Sequence, residues 1–96
     1  MGSNGTQTRA AELAEAMGLV VGAASDCDWA TDDRLDAAVA KIETLMIAVA
    51  VDDSDAENAK QRFSAGFEAG KAAVEHGRAD PRAVEVAFDE LEEKLS

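Results

Sequence analysis

The stretch Thr31–Val51, TDDRLDAAVAKIETLMIAVAV, decides the fold of this chain. Thr31 offers a hydroxyl that can cap a helix, and the two aspartates after it lie near the positive end of the helix dipole. Ile47 and Val51 widen the apolar stripe of this segment. The pattern predicts a helix over 31–51, and we expect it to be the most buried helix of the chain. Its other large apolar residues recur at three- and four-residue steps, as on one side of an α-helix: Leu35, Val39, Ile42, Leu45, Met46 and Val49.

The same three- and four-residue spacing continues on both sides of this segment. It predicts helices over about 7–24, 54–76 and 80–95. The composition agrees, because the chain is rich in alanine and only 4% aromatic, which favours helix over strand. Four helices with short connections predict an all-α, up-and-down four-helix bundle. We expect residues 1–5 to be a flexible leader and 6–96 to be a single helical domain.

The predicted helix starts carry recognisable capping residues. Ser54 precedes Glu57 by three residues, which is the spacing of a capping box. Asp80 precedes Pro81, a combination typical of a cap followed by the first helical position. Thr31, Ser54 and Asp80 are therefore predicted to be structural caps.

Two pairs of glycines lie four residues apart in different predicted helices: Gly18 with Gly22, and Gly66 with Gly70. Such spacing marks a membrane dimer only inside an apolar stretch of about 20 residues. The longest uncharged apolar run here, Thr44–Val51, is far shorter. We therefore expect no membrane insertion, and we expect the first and third helices to cross closely at these glycines.

The charge of the chain limits its partners. It carries 20 acidic and 9 basic residues, a formal net charge of -11. Binding to nucleic acid or to anionic lipid needs an excess of Lys and Arg, so neither partner is expected. An acidic surface instead favours encounter with a basic protein.

Candidates for catalysis are few. Cys27 is the only cysteine, which excludes an internal disulfide and a cysteine-based zinc site. Asp26 and Asp28 flank it and disfavour the reactive thiolate. The acidic clusters do not match the ligand spacing of a calcium loop. We expect no cofactor, no metal and no enzymatic activity, with a small enzyme or carrier that uses Cys27 or His76 as the third alternative.

The aromatic residues are the candidates for interaction with a partner. Trp29 lies in a predicted loop, either as a lid over one end of the bundle or as an exposed anchor for a partner. Phe63 and Phe67 lie on the third helix, where the core is the simpler explanation and interaction the other.

The order of several landmarks resembles small all-helical bacterial proteins of unknown function, often exported. The shared pattern is a first helix that leads from Glu12-Leu13-Ala14 to Cys27, then Trp29, then Phe63-Ser64-Ala65-Gly66-Phe67. The resemblance implies a helical fold and no particular activity. A second cysteine that follows the third helix in that group is replaced by the region of His76 here, so its disulfide is not carried over.

These observations predict a non-catalytic, acidic, helical protein-interaction module. It would bind another protein or form a homo-oligomer whose thin core is completed across a two-fold axis. The alternative is an acidic inhibitor or antitoxin-like regulator that covers a basic site. The lone cysteine slightly favours the cytoplasm, whereas the resemblance favours the periplasm.

Overall fold

The computed structural model describes residues 2–95, with side chains from Ala10 onward. The backbone of this part forms α-helices and no strand, which confirms the all-α four-helix bundle. The helices are α1 (Gly2–Ser25), α2 (Asp32–Val49), α3 (Asp53–Glu75) and α4 (Pro81–Leu95).

Helices α1 and α3 run in the same direction and in register. The backbone of Glu15 lies against Gly66, and that of Leu19 lies against Gly70. Both pairs are 51 residues apart, so the residue numbers of the two helices rise together. The first residue of α1, Gly2, is also 51 residues before the first residue of α3, Asp53. The two helices therefore start at the same level of the bundle.

The close crossing predicted at the glycines is confirmed. A Cβ built on Gly18 would lie 3.1 Å from the backbone nitrogen of Phe67, and one built on Gly70 would lie 2.9 Å from that of Ala23. The backbone of one helix occupies the space that a side chain of the other would need. This contact joins α1 and α3 directly, without a layer of side chains between them.

Helix α1 is the most buried helix of the bundle, and it packs chiefly against α3. The expectation that α2 is the most buried helix was wrong. Only Ala38, Ile42 and Met46 of α2 are buried, and Ile47 is 62% exposed. The small side chains of α1 allow the backbone of α3 to lie directly against it, which buries most of the helix. The buried residues of α1 are Ala10, Ala11, Ala14, Met17, Gly18, Val21, Gly22, Ala23 and Ala24.

The start of α1 differs from the prediction. Residues 2–5, expected to be a flexible leader, are helical. Gly2 and Gly5 are poor helix formers, so local propensity does not explain this start.

Helix α2 ends at Val49, two residues earlier than predicted. Ala50 is extended, and the backbone N–H of Val51 donates to Oδ2 of Asp55 at 3.1 Å. The side chain of Asp55 is buried at the start of α3. It accepts a hydrogen bond from the backbone N–H of Val51, which would otherwise continue the hydrogen bonding of α2.

Two of the three predicted caps lie at helix starts. Thr31 is the N-cap of α2, where its hydroxyl accepts from the N–H of Arg34 at 3.3 Å. Asp80 precedes α4, and its Oδ1 accepts from the N–H of Arg82 at 3.3 Å. Ser54 is not a cap, because it lies inside the first turn of α3. Asp52 is the N-cap there: its Oδ1 accepts from the N–H of Asp55 at 2.8 Å. A carboxylate is a stronger acceptor than a hydroxyl, which favours the earlier start.

Within residues 2–95, no helix combines the length and the apolar character needed to cross a membrane.

Candidate functional site

The last helix lies over α1 and leaves a groove between them. Val84 and Phe88 of α4 are buried in the core. The side of α4 next to them carries Ala83 and Ala87, whose methyl groups are too small to fill the space beside α1. The helix therefore packs on one edge and leaves the other edge open.

This opening consists of two adjoining hollows, which together we call the α1–α4 groove. The first, of about 400 Å³, lies where α1, the end of α3 and the start of α4 meet. The second, of about 300 Å³, lies between α1 and the C-terminal half of α4, with Leu45 of α2 at its side. Both hollows are lined by Val20 and Ala87, so they adjoin at these two residues. The groove follows α4, whose 15 residues span about 22 Å.

The groove is lined mainly by apolar side chains that remain accessible. Leu13 and Leu19 of α1 are 37% and 41% exposed, and Ala16 beside them is exposed as well. Leaving large aliphatic side chains in contact with water costs about 25 cal/mol of free energy for each Å² of apolar surface, relative to burying them. A partner that covers these residues would recover part of that free energy.

Four charged residues line the groove. Arg78 and Asp80 belong to the first hollow, and Glu90 and Lys94 belong to the second. Within residues 10–95, ion pairs are formed only by Arg34 and Arg62, and none by these four. Arg78 is hydrogen-bonded to His76 and Asp80 caps α4, so Glu90 and Lys94 are the two groove charges for which no such contact within the described side chains is found.

Trp29 lies against the bundle at the end where α1 leads into α2. Its ring centroid is 5.6 Å from that of Phe88, and the two rings are tilted by 59°. The guanidinium of Arg34 lies over both rings, 5.5 Å from the centroid of Trp29 and 5.1 Å from that of Phe88. Trp29 is half-buried in this stack, in the position expected of a lid over one end of the core.

Arg34 also connects α2 to α4 through two carboxylates. Its Nη2 donates to Oε1 of Glu92 at 2.6 Å and to Oδ1 of Asp89 at 3.1 Å, and its Nε donates to Oε2 of Glu92 at 3.3 Å. The hydrogen bond from Arg34 lowers the pKa of Glu92, and the bond to Glu92 raises the pKa of Arg34. The paired geometry on Glu92 is the one that only arginine provides.

Phe63 and Phe67 lie on α3, each half-buried against the core. Their ring centroids are 6.5 Å apart. Among the described side chains, no ring contact joins this pair to Trp29, so the three aromatic candidates do not form one surface cluster.

Cys27 is buried just after the end of α1. Its thiol donates to the carbonyl oxygen of Ala23 at 3.3 Å. Burial raises the pKa of the Cys27 thiol, and the carboxylate of Asp26 raises it further. A thiol that is buried and held protonated is a poor nucleophile.

His76 is the C-cap of α3 and is exposed. Its Nδ1 accepts a hydrogen bond from Nη2 of Arg78 at 3.3 Å. Within the side chains from residue 10 to residue 95, no three His, Cys, Asp or Glu residues come together in a way that could hold a metal ion.

Comparisons with protein-family models, with curated proteins and with solved structures find no match to this chain. The resemblance to small helical bacterial proteins therefore stays a prediction.

Sequence reasoning missed the groove and the role of Arg34. Alanines on a predicted helix indicate only that neighbours can approach closely, and Ala83 and Ala87 mark a place where no neighbour does. A pairing between Arg34 and Glu92 joins residues 58 positions apart. No local pattern in the sequence indicates such a contact.

Proposed function

We propose that this protein is a non-catalytic interaction module that binds another protein molecule through the α1–α4 groove. The observation that carries the proposal is the pair of adjoining, mainly apolar hollows along α4, with Leu13 and Leu19 exposed at their walls.

The shape of the groove suits a helix better than a small metabolite. It is long and shallow and follows a helix of about 22 Å, so its apolar wall matches the stripe that an amphipathic helix presents. Its charged groups are spread along it, with Arg78 and Asp80 in one hollow and Glu90 and Lys94 in the other, whereas a site for a small molecule usually directs several polar groups toward one point.

The state of the candidate catalytic residues supports a non-catalytic role. Cys27 is buried with a raised pKa, and His76 is exposed with Arg78 as its partner. A cysteine nucleophile needs the opposite environment, with positive charge beside an accessible thiol.

An acidic regulator of a basic partner is the second candidate, and a different surface favours it. The connection from α1 to α2 and the first turns of α2 carry exposed carboxylates over a short span. Arg34 is the only cation in that span, and it is already paired with α4. A basic partner would bind there with an affinity that falls steeply as salt is added. The exposed carboxylates are those of Asp26, Asp28, Asp32, Asp33 and Asp36.

The experiment that tests the groove compares two variants with the same change in charge. Ala16→Glu places a carboxylate in the α1–α4 groove, and Ala40→Glu places one on the exposed side of α2. Tagged forms of both, and of the unchanged chain, are used to capture proteins from an extract of the source organism. We expect at least one protein to be retained both by the unchanged chain and by Ala40→Glu. An untagged copy of this chain counts as such a protein.

The same protein should be lost with Ala16→Glu, while both variants keep the helical circular dichroism of the unchanged chain. Capture that is equal for all three forms would contradict a role of the groove. Capture that disappears in 0.5 M salt but is equal for both variants and the unchanged chain would favour the acidic regulator.

A further inference from the structure

Helix α4 has the least contact with the rest of the bundle. It packs against α1 and α2 and barely touches α3. Of its 15 residues, only Val84 and Phe88 are buried. The two hollows of the groove, of about 400 and 300 Å³, lie along its other edge. Side chains that border empty space lack packing partners there, so less free energy holds this helix in place.

Helix α3 ends without help from α4. The backbone N–H groups of Arg78 and Ala79 both donate to the carbonyl oxygen of Ala73, at 2.7 and 3.2 Å. Gly77 has a φ of 70°, the left-handed conformation that commonly ends a helix. Among the described residues, no atom beyond its chain neighbours lies within 4 Å of a Cβ built on Gly77. The connection to α4 can therefore change direction while α3 stays helical.

The C-terminal half of α4 is fastened by one side chain of α2. Arg34 donates to the carboxylates of Asp89 and Glu92, and its guanidinium lies over the ring of Phe88. A helix of about 15 residues is marginal in water on its own. If these contacts are lost, α4 should therefore unravel as well as leave the bundle.

Helix α4 itself shows what kind of helix the surface beneath it accepts. Val84 and Phe88 are buried, and Leu91 and Leu95 pack against the core. These four lie at steps of four, three and four residues, which is one apolar stripe of a helix. Met17 of α1 is only 5% exposed although it lines the second hollow. The apolar surface of α1 is therefore larger than the open groove, and α4 covers the rest.

We propose that α4 is a displaceable lid, and that the partner of the groove is an amphipathic helix that binds α1 and α2 in its place. This inference rests on the proposed function and adds the chemistry of the partner and the control of the site. The partner helix would carry the apolar spacing of α4 and a carboxylate that takes over Arg34 from Glu92. Because α4 competes for the same surface, the affinity depends on how often the lid is open.

Native-state hydrogen exchange tests whether the lid opens. Exchange is followed by mass spectrometry on peptides from α1, α3 and α4, at urea concentrations below the unfolding midpoint. We expect the protection factors of α4 amides to be lower than those of α1 and α3 by about tenfold or more. The exchange of α4 should also depend less on urea, because opening the lid exposes less surface than unfolding the chain.

Two variants should change the opening in opposite directions. Glu92→Gln weakens the attachment to Arg34, and Ala87→Leu fills space in both hollows. We expect the exchange of α4 to become about threefold faster with Glu92→Gln and about threefold slower with Ala87→Leu. Glu93→Gln and Ala40→Leu make the same chemical changes at exposed positions and should leave it unchanged.

A synthetic peptide with the sequence of residues 80–96 serves as the partner helix. Its binding to the full chain is measured by fluorescence polarisation of a label on the peptide. The chain can bind it only when its own α4 is displaced, so the dissociation constant should fall with Glu92→Gln and rise with Ala87→Leu. Each change should match the change in the exchange rate of α4. A peptide with Phe88→Glu is the control and should not bind.

Equal protection and equal urea dependence in the three helices would overturn the inference. So would a peptide that fails to bind, or one that binds all variants of the chain with the same affinity. The proposed function would stand in each case if the capture experiment still depends on Ala16. Capture that is equal for Ala16→Glu and the unchanged chain, with a peptide that follows the exchange rates, would remove the proposed function and keep the lid.

Discussion

Gly22 lies so close to Phe67 that a Cβ built on the glycine would be 2.6 Å from the carbonyl carbon of Phe67 and 2.7 Å from its Cα. These are backbone atoms, which cannot rotate away as a side chain can. The parallel contact between α1 and α3 therefore depends on the absence of a side chain at Gly22. Gly70 has the same relationship to the backbone of Leu19, at 2.9 Å from its carbonyl carbon.

Gly22→Ala should destabilise the protein. In an exposed helix this change usually stabilises by about 1 kcal/mol, because alanine is the better helix former. Here the added methyl group must push two backbones apart, and we expect a net loss of about 1–3 kcal/mol. Urea unfolding followed by circular dichroism measures the free energy of unfolding.

Ser64→Ala is the control, because Ser64 is exposed on α3 and the change also raises helix propensity. It should leave the stability unchanged or raise it slightly. A Gly22→Ala variant as stable as Ser64→Ala would show that α1 and α3 do not touch at this point.

Both the glycine contact and its direction could be predicted from the sequence, because an up-and-down bundle makes its first and third helices parallel. Glycines four residues apart in two helices indicate a close crossing, and the pairing of Gly18 and Gly22 with Gly66 and Gly70 follows from that spacing. The greater burial of α1 was missed. Apolar side-chain size pointed to α2, but α1 is more buried because its small side chains allow the backbone of α3 to lie directly against it.

Asp52→Ala should cost about 1 kcal/mol of stability, because it removes the acceptor at the start of α3. Ser54→Ala should change the stability by much less, since Ser54 is exposed inside the first turn and is not the cap. Thermal unfolding of both variants, under the same conditions, measures the difference. Equal losses, or a larger loss for Ser54→Ala, would place the start of α3 at Ser54.

The sequence favoured Ser54 because the capping box with Glu57 is a complete local pattern. In the structure the cap is Asp52, which lies two residues before that pattern. Asp55 is buried and binds the N–H of Val51, which holds the chain in a tight turn between α2 and α3. The groove was beyond sequence reasoning for a similar reason, because it arises from the space left between α1 and α4 rather than from any residue pattern.

The ion pair between Arg34 and Glu92 should make the free energy of unfolding depend on pH in the acid range. The pKa of Glu92 is lowered in the folded state, so the folded chain binds fewer protons than the unfolded chain near that pKa. Its contribution is therefore present above about pH 4.5, the ordinary value for this group, and is lost as the pH falls. Both partners are about one third exposed, so we expect a contribution of up to about 1 kcal/mol at neutral pH.

Glu92→Gln removes this contribution, and the difference in stability from the unchanged chain should shrink between pH 7 and pH 3. Urea unfolding at several pH values measures it. Glu93→Gln, at the exposed neighbouring position, should show no such dependence. A constant difference between Glu92→Gln and the unchanged chain across this range would mean that the pair adds nothing to stability.

Cys27 should react slowly with thiol reagents while the protein is folded. The thiol is buried, bonded to the carbonyl of Ala23, and has a raised pKa, so little thiolate is available. The variant I47C provides an exposed cysteine in the same molecule, because Ile47 is exposed on α2. Its reaction should show one fast thiol and one slow thiol, with rates that differ at least about tenfold. The two rates should become similar in urea.

The same raised pKa gives a second test in alkali. Between the unfolded pKa of about 8.5 and the higher folded value, the folded chain keeps a proton that the unfolded chain releases. Stability should therefore fall as the pH rises through this range, and it should fall less for Cys27→Ala. A fast reaction of both thiols in the folded I47C variant would show that Cys27 is accessible. That result would remove one reason to regard the protein as non-catalytic, and it would return Cys27 to the candidates for chemistry.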